Sequence, residues 1–367
     1  MPSLEGNPIS VTLIGASGFD SVKTVEVVAY SNRGDFMTVP TVTLAEGLTV
    51  SAQGYGAMSV APVYGPVDPA EALATLHHAV DIGITFIDTA NVYGEGASER
   101  AVGELLKDRR DEVQLATKFG LVGNIANGQR GINGDPAYVP QALDESLGRL
   151  GVDHVDLYYL HRVDPNVPIE DTVGAIAEQV KAGKVRNIGL SEATGDELRR
   201  AYGVHPIAAI QSEWSIWSRD VENKVVPTAA ELGVGFVPFS PVGRGFLAGS
   251  FDAATLSDND LRRRFPRFSD SALPANQKVL DVVRAVGDEL GATPAQVSLA
   301  WLDAKGRQYG LPSVSIPGTR FAARVTENAG ALDIVLSEDQ IARLDSLAAI
   351  TEGFRSADLN WVSQGRE

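Results

Sequence analysis

Short apolar runs recur along the chain from about residue 40, and helix-like stretches separate them. Eight such runs occupy residues 54–60, 84–90, 113–119, 155–161, 185–191, 208–213, 234–240 and 314–318. Continuous apolar strands of this kind are typical of a parallel sheet that is covered on both faces. Eight strand–helix units predict an α/β fold, a closed (β/α)8 TIM barrel, rather than an open doubly wound sheet.

Capping and breaking residues mark where the intervening helices begin and end. Residues 68–71 (D-P-A-E) place a capping aspartate before a first-turn proline, and Gly83 closes the helix that follows. Apolar residues at helical spacing over 169–180 predict another helix that stops at Gly183. Residues 337–340 open a further helix after the eighth strand.

The pattern divides the chain into three parts, and no composition break marks a second domain. Residues 1–38 are predicted to be an N-terminal extension outside the core. Residues 39–350 form the predicted barrel domain, which begins with a β-hairpin made by 41–44 and 48–51. Residues 351–367 are a long C-terminal tail and a candidate wall of the substrate pocket.

The N-terminal segment carries no recognisable signal. It lacks a charged start followed by a sustained apolar core, so a cytoplasmic location is predicted. Gly15 and Gly18 follow a strand-like run, but the three-glycine dinucleotide fingerprint is absent and no amphipathic helix follows. Because the barrel pattern begins directly after Met37, residues 1–36 are interpreted as an appendage or an over-extended start.

Composition excludes several classes of function. The chain has 367 residues with 31 Lys+Arg and 47 Asp+Glu, a formal charge of −16, so nucleic acid is not an expected partner. It has no cysteine, which excludes a disulfide, a thiolate nucleophile and a zinc–thiolate site, and no metal site is predicted. No apolar run approaches the ~18–20 residues that span a bilayer, so no membrane partner is expected.

Polar residues follow the predicted strands at the end of the barrel where active sites lie. Asp88, Lys118 and His161 end strands two, three and four, and Tyr93 follows five residues after Asp88. An ammonium held by a carboxylate would lower the pKa of a tyrosine, and an imidazole could donate to a substrate oxygen. Taken singly, each residue has a structural interpretation as a cap, a packed ring, a solvated cation or a hydrogen-bonded histidine. Their convergence predicts an acid–base site.

Longer motifs around these residues resemble the aldo-keto reductases. Residues 86–100 (F-I-D-T-A-N-V-Y-G-E-G-A-S-E-R) are similar to the family signature around its catalytic aspartate and tyrosine. The segments 115–120 and 156–165 are similar to those that carry the catalytic lysine and histidine. Three further similar segments are 183–192, 238–249 and 315–328. The resemblance runs in order over roughly residues 39–350 and is nearest to bacterial pyridoxal or aldehyde reductase-like members.

The resemblance implies an NADP-dependent oxidoreductase that reduces an aldehyde or ketone to an alcohol by hydride transfer. Tyr93 would be the general acid, Lys118 with Asp88 would lower its pKa, and His161 would orient the carbonyl. The partner would be this small carbonyl substrate, and the oligomeric state is left open.

The resemblance also implies where NADPH or NADP+ binds. Ser191 and Gln211 would hold the nicotinamide carboxamide, and Phe239 would stack on its ring. The implied cofactor contacts are Gly56, Ala57, Asp88, Ser191, Gln211, Phe239, Ser240, Pro241, Gly243, Gly245, Gly318, Thr319, Arg320, Arg324, Glu327 and Asn328.

Three positions depart from the family pattern, and one of them is Phe239, where the family often has a tyrosine that stacks on the nicotinamide. Arg324 matches the arginine that binds the adenosine 2′-phosphate, but Gly318 stands where other members have lysine, whose charge Arg320 would replace. Glu192 stands where many members carry asparagine, which puts a carboxamide contact there in doubt. Without the upstream match, residues 319–328 would be interpreted as a capped surface helix.

The residues that form the walls of the substrate pocket are less well defined by the sequence than the catalytic group. Candidates are the loops 121–137 and 246–275 and, in the tail, Phe354 and Trp361. Three further aromatic residues could add pocket surface or pack in the core: Tyr55, Trp214 and Trp217. The arginine-rich run 262–268 is interpreted as a solvated loop rather than a phosphate site. Since the cofactor carries several phosphates, the barrel mouth is expected to be more positive than the rest of the molecule.

A function from another class stays open. Some barrels of this family, such as potassium-channel beta subunits, serve mainly as nucleotide-sensing binding modules, in which case the N-terminal extension would be a partner-binding arm. The presence of all four acid–base groups favours the enzyme. An unrelated barrel lyase or isomerase would show no nucleotide affinity.

Overall fold

A computed structural model describes residues 39–123, 131–249, 251–256 and 260–367. The predicted extension at 1–38, with Gly15 and Gly18, lies outside these residues, as does the middle of the predicted pocket loop 121–137.

An antiparallel hairpin opens the described chain. Strands β1 (Thr41–Ala45) and β2 (Leu48–Ser51) pair across a tight turn at Gly47, which has a φ of +76°. Leu44, Leu48 and Val50 are buried among inward-facing barrel residues such as Phe86 and Val237. The hairpin therefore closes the N-terminal end of the barrel.

Seven parallel strands surround the centre of the molecule. They are β3 (Tyr55–Gly56), β4 (Phe86–Asp88), β5 (Gln114–Phe119), β8 (Val155–Leu160), β9 (Val185–Ser191), β10 (Ile207–Glu213) and β11 (Gly235–Phe239). Their order in the sheet is β11-β10-β9-β8-β5-β4-β3, with parallel pairing throughout. A separate antiparallel pair, β6 (Leu121–Val122) and β7 (Gly131–Ile132), lies in the loop after β5.

An extended segment takes the place of the eighth strand. The Val314 amide donates to the Phe236 carbonyl at 3.0 Å, and the Ile316 amide donates to Pro238 O at 3.2 Å. On the other side, the Gly54 amide donates to Ser315 O at 2.9 Å. These bonds join the two edges of the sheet, so the predicted (β/α)8 barrel with an N-terminal hairpin is confirmed. The predicted first strand is shorter than expected, because the chain turns at Ala57–Val60 into a 3-10 helix with buried apolar residues.

Helices form the outer layer around the strands. They are α1 (Pro69–Asp81), α2 (Ala97–Arg109), α3 (Tyr138–Leu150), α4 (Ile169–Lys181), α5 (Gly195–Tyr202), α6 (Val225–Leu232), α7 (Leu273–Leu290), α8 (Pro294–Gln308), α9 (Ala322–Ala329) and α10 (Glu338–Asp345). Asp68 caps α1 by accepting from the Ala70 and Glu71 amides, and Ser337 and Gln340 form a reciprocal capping box at α10. The main hydrophobic core lies between these helices and the strands.

No helix among the described residues combines the length and the apolar character that a membrane crossing requires.

Candidate active site

The buried floor of the barrel mouth is an ion pair. Asp88 ends β4 and Lys118 lies near the end of β5, so parallel pairing brings both side chains to the same end of the barrel. Lys118 Nζ donates to Asp88 Oδ1 and, at 2.8 Å, to the Thr89 carbonyl. Asp88 Oδ2 accepts from Gln211 Nε2 at 2.9 Å. Burial raises the pKa of Asp88, and the Lys118 ammonium and the Gln211 amide oppose that rise. Since both oxygens accept hydrogen bonds, we assign Asp88 as the carboxylate partner of the ammonium.

Tyr93 lies above this ion pair in the turn that follows β4. The centre of its ring is 5.2 Å from Lys118 Nζ. Desolvation raises the pKa of Tyr93. Lys118 and Arg162 lower this pKa, and Asp88 raises it further. Lys118 therefore lowers the pKa of Tyr93 as the sequence predicts, but burial outweighs this effect, so the net pKa of Tyr93 is raised. A tyrosine in this environment stays protonated near neutral pH, which is the state a proton donor needs.

His161 completes the predicted group of four. Its ring stands edge-on to that of Tyr93, with 5.7 Å between ring centres and 84° between planes. Its backbone amide donates to Phe119 O at 2.8 Å, which fixes the chain where it leaves β8. Burial lowers the pKa of His161 well below its usual value, and Arg162 and Lys118 lower it further. The imidazole is therefore neutral, and Nδ1 is buried without a hydrogen-bond partner in the described chain.

A cavity of about 700 Å³ opens over these groups, within the size range of ligand sites. Tyr93, His161 and Asp88 lie on its wall, whereas Lys118 is buried beneath it. Fourteen of the predicted cofactor contacts line it: Gly56, Asp88, Ser191, Gln211, Phe239, Ser240, Pro241, Gly245, Gly318, Thr319, Arg320, Arg324, Glu327 and Asn328.

Two predicted cofactor contacts do not line this cavity. Ala57 is fully buried, and its carbonyl accepts from Ser98 Oγ at 2.7 Å. Gly243 packs against the indole of Trp217, so closely that an added Cβ would lie 2.6 Å from Cζ2 of that ring.

The cavity is more positive than the molecule as a whole. The described residues that line it include seven arginines, 162, 244, 262, 264, 320, 324 and 355, against the four carboxylates Asp88, Glu213, Asp252 and Glu327. Because the whole chain has a formal charge of −16, this local excess of cations favours an anionic ligand.

The predicted adenosine end of the cofactor site lies at the start of α9. Arg320 and Arg324 both lie against the ring of Phe321, and Arg320 also donates to the Pro66 carbonyl. Arg324 is exposed and forms no ion pair with the residues that the structure describes, so its guanidinium is available to a phosphate.

Close packing explains why Gly318 is a glycine. A Cβ there would lie 2.3 Å from the Gly56 carbonyl oxygen, so a longer residue requires a backbone movement. The backbone of Gly318 and Gly56 thus reaches the cavity wall directly, which suits close approach of a ligand.

Glu192 has a role that the sequence did not indicate. Its carboxylate is fully buried and binds the guanidinium of Arg355 through paired contacts of 2.8 and 2.9 Å. It also accepts from the backbone amides of Ser363 and Glu213, each at 3.0 Å. Burial raises the pKa of Glu192, but Arg355 and the other donors outweigh this effect and lower it to about 2. Glu192 therefore anchors the C-terminal tail, and its positive φ of 53° at the exit of β9 is the local sign of an unusual role.

The anchored tail contributes to the cavity wall. Ser356, Ala357, Trp361 and Val362 line it, whereas Phe354 points away and is 58% exposed. From the predicted loops, Leu121 and several residues of 246–275 also line the cavity.

The three further aromatic candidates pack in the core instead. Tyr55, Trp214 and Trp217 are all buried in the main hydrophobic cluster, and none lines the cavity. Large side chains of this kind are commonly buried between a barrel and its helices.

The prediction of a solvated loop at 262–268 is wrong for part of the run, since Arg263 and Arg264 are exposed but Arg267 is buried. Arg262 and Arg264 line the cavity, and Arg267 is buried beside it. Arg267 donates to Ser218 Oγ and to the Gly353 carbonyl, which ties this loop to the start of the tail.

Comparison with known proteins identifies the family. The model of the aldo/keto reductase family matches residues 53–349. The chain belongs to the aldo/keto reductase family. It is therefore an oxidoreductase of a family that acts on small carbonyl compounds with a nicotinamide cofactor.

Two solved structures show the same architecture. The glycerol dehydrogenase of Gluconobacter oxydans is 24% identical, with a TM-score of 0.74 over 86% of this chain and 95% of that one. The thermostable aldo-keto reductase Tm1743, solved with the inhibitor epalrestat, is 29% identical, with a TM-score of 0.64 over 82% of this chain and 96% of that one. These matches agree with the fold of this aldo/keto reductase.

No cluster of three or more His, Cys, Asp or Glu side chains suited to a metal ion occurs within the described parts of this aldo/keto reductase.

Proposed function

We propose that this aldo/keto reductase uses NADPH to reduce an aldehyde or ketone to an alcohol, with Tyr93 as the proton donor. The observation that carries the proposal is the position of Tyr93 and His161 on the cavity wall, directly above the buried Lys118–Asp88 pair. A proton donor, a neutral hydrogen-bond donor and a fixed cation thus share one site.

The proposed chemistry assigns one task to each of these side chains. When bound, the reduced nicotinamide supplies a hydride to the carbonyl carbon. Tyr93 gives its proton to the carbonyl oxygen, and the neutral imidazole of His161 donates a hydrogen bond that orients that oxygen. Lys118, held by Asp88, stabilises the phenolate that Tyr93 leaves, until solvent returns the proton. One carbonyl, one reduced nicotinamide and one proton become one alcohol and one oxidised nicotinamide.

The residues of the mouth suit the nicotinamide. Gln211 uses Nε2 to bind Asp88, which leaves its Oε1 to accept from a carboxamide. Ser191 Oγ accepts from Arg162 at 3.3 Å and retains its own hydroxyl proton for donation. Phe239 is half-buried on the wall, so one face of its ring can pack against the nicotinamide.

The preference for NADPH rests on the opposite end of the cavity. Arg324 would bind the 2′-phosphate, with the Thr319 hydroxyl and Arg320 beside it, and Glu327 and Asn328 would contact the adenine. Ala57 and Gly243 would support this site through packing, since neither lines the cavity.

The chain is proposed to have two functional parts, a catalytic barrel and a C-terminal tail. Residues 39–350 would be the catalytic barrel and residues 351–367 a wall of the substrate pocket, because five tail residues, Arg355 among them, line the cavity. An aldehyde, pyridoxal-like compounds included, is the proposed kind of substrate. The cytoplasmic location stays a prediction.

The test is oxidation of NADPH by a panel of aldehydes, with formation of the alcohol followed in parallel. Tyr202→Phe, on helix α5 and outside the cavity wall, is the matched control for Tyr93→Phe. Turnover in the wild type and the control, and its loss in Tyr93→Phe, is expected. Nucleotide binding without any turnover would instead support a nucleotide-sensing module, and absence of nucleotide binding would overturn both interpretations.

A further inference from the structure

Arg162 is a buried cation on the wall of the active-site cavity. It follows His161 where the chain leaves β8, and only 9% of the residue is exposed. Its guanidinium influences the titration of both Tyr93 and His161, so it lies close to the groups that would act on the carbonyl. The proposed chemistry assigns it no task.

The hydrogen bonds of Arg162 use only part of its guanidinium. Nη1 donates to the His161 carbonyl at 2.6 Å and to Ser191 Oγ at 3.3 Å. Nε is buried without a partner in the described chain, and Nη2 makes no hydrogen bond with any described residue. Two donors of the same fork therefore remain unused.

Arg162 also differs from the other buried arginines near the cavity in having no carboxylate partner. Arg355 is paired with Glu192 at 2.8 Å and with Asp220 at 2.9 Å. Arg244 and Arg267 both approach Glu213, at 3.5 and 3.6 Å. Within the described residues, no carboxylate oxygen lies within 4.0 Å of Arg162.

An unpaired buried charge is costly to a folded protein. Burial, together with Arg355 and Arg366, lowers the pKa of Arg162 to about 10, and Glu192 opposes this shift. The group therefore stays charged at neutral pH despite its surroundings. A charged fork with two unused donors at the wall of a cavity is suited to an anion that enters with the ligand.

The position of the fork indicates which ligand brings the anion. Arg355 and Arg366, which influence Arg162, belong to the tail, so Arg162 lies between the Tyr93–His161 pair and the tail. Arg162 Nη1 also donates to Ser191 Oγ, which is proposed to hold the nicotinamide carboxamide, so Arg162 lies at the nicotinamide end of the cavity. Among the described residues, Lys118 is bound to Asp88 and Arg355 to Glu192, whereas Arg162 has no carboxylate partner, so a group with one negative charge matches it.

We infer that Arg162 binds a carboxylate on the substrate, and that the enzyme prefers carbonyl compounds that carry a carboxylate close to the aldehyde or ketone. This inference rests on the proposed function, because it names the substrate class of the same site. The carboxylate takes a hydrogen bond from Nη2, while Nη1 keeps its contact with the His161 carbonyl. The fork then fixes the position of the carbonyl relative to Tyr93.

The test compares carboxybenzaldehydes with their neutral methyl esters. All positional isomers are used, so that the spacing between the carboxylate and the aldehyde is varied. Hydrogen bonds to charged groups contribute about 1.5–3 kcal/mol, so kcat/KM for the best acid should exceed that of its ester by roughly 10–100-fold. Arg162→Gln should reduce this ratio to about one and retain turnover of the ester, while Arg162→Lys should retain part of the preference. Arg343→Gln, a surface change far from the cavity, is the matched control and should leave the ratio unchanged.

Two kinetic outcomes would overturn the inference. One is equal kcat/KM for acids and esters in the wild type. The other is an equal loss for both classes in Arg162→Gln, which would mean that Arg162 acts only by tuning Tyr93 and His161. Turnover of the esters in either case leaves the proposed function standing.

A binding measurement keeps the inference testable even without turnover. Calorimetric titration of the NADP+-loaded protein with benzoate, and with benzamide as the neutral control, reports the carboxylate site directly. Benzoate should bind more tightly than benzamide, and Arg162→Gln should abolish that difference. If no aldehyde is reduced but benzoate binding depends on Arg162, the proposed function fails and the carboxylate site remains. Equal binding of both compounds would contradict the carboxylate site.

Discussion

Replacing Arg355 by methionine should release the C-terminal tail from the barrel. The change removes the guanidinium that holds both oxygens of Glu192 and also contacts Asp220. Glu192 would then keep its charge in a buried position with only backbone donors and a hydroxyl. Methionine approximates the length of the arginine stem, so lost packing contributes little.

The size of the effect follows from the environment of Glu192. Its pKa is lowered from 4.5 to about 2 by Arg355 together with Arg162 and the Glu213 amide, against the effect of burial, which corresponds to roughly 3 kcal/mol for all these groups together, since one pKa unit is about 1.4 kcal/mol. Removal of one partner from a buried ion pair costs about 3–5 kcal/mol in other proteins, which agrees with this value. Because the pKa is lowered on folding, this stabilisation is present above pH 4.5 and is lost as the pH falls toward 2.

The loss should appear as local opening rather than as global unfolding. Beyond Arg355, the contacts that hold the tail include the Ser363 amide with Glu192 and Arg366 with the Glu192 carbonyl and Glu197, and at its start Arg267 with Gly353. A terminal segment can separate while the barrel core stays folded. Hydrogen exchange of residues 351–367, read by mass spectrometry, should therefore accelerate strongly in Arg355→Met, with a smaller change in the barrel strands.

Two control variants test whether the effect depends on the buried Glu192–Arg355 pair. Arg343→Met removes an exposed pair with Glu289, worth at most about 1 kcal/mol, and should leave the tail protected. The double variant Glu192→Gln with Arg355→Met removes both charges and should be less destabilised than Arg355→Met alone. Unchanged exchange of the tail in Arg355→Met, or a double variant as unstable as the two single losses combined, would refute this account of the anchor.

Three further predictions follow from the site. Because desolvation raises the pKa of Tyr93, kcat/KM for reduction should hold across neutral pH and fall only in alkaline solution; a pH–rate profile that falls near pH 7 would contradict this. Arg324→Gln should raise the Kd of NADPH by roughly 10–100-fold and leave that of NADH nearly unchanged, as measured by nicotinamide fluorescence, and equal losses for both would sink the 2′-phosphate assignment. Gly318→Ala places a Cβ 2.3 Å from the Gly56 carbonyl oxygen, so it should lower the thermal midpoint and weaken cofactor binding, by about 1–3 kcal/mol in stability; a fully stable, tightly binding variant would contradict the close packing.

Hydrophobic patterning was sufficient to predict the barrel and its N-terminal hairpin. The strand runs are apolar because both of their faces are covered, and the alternating pattern of the hairpin reflects one buried face. The strand boundaries were less predictable. The eighth strand is an extended segment joined by a few hydrogen bonds, and the first ends at Gly56, where the chain turns to bury Ala57 and Val60.

Convergence of Asp88, Lys118 and His161 was predictable because parallel strands place their carboxyl ends at the same end of a barrel. The direction of the net pKa shift of Tyr93 was not predictable. The ammonium beside it was visible in the motifs, but the opposing desolvation depends on how deeply the phenol lies in the folded protein.

The anchor of the tail could not be read from the sequence. Glu192 and Arg355 are 163 residues apart in the chain, and neither lies in a periodic pattern that would pair them. The same holds for Arg267, whose buried position depends on partners from two distant segments, Ser218 and Gly353. Long-range polar contacts of this kind leave no local signal in the hydrophobic pattern.

The central claim is that Tyr93 supplies the proton in an NADPH-dependent carbonyl reduction. The most direct measurement is kcat/KM for one good aldehyde in the wild type and in Tyr93→Phe, together with the Kd of NADPH for both. The account predicts a loss of about 10²–10⁴-fold in kcat/KM, the usual contribution of general acid catalysis, with the Kd of NADPH nearly unchanged. Full turnover by Tyr93→Phe would contradict it.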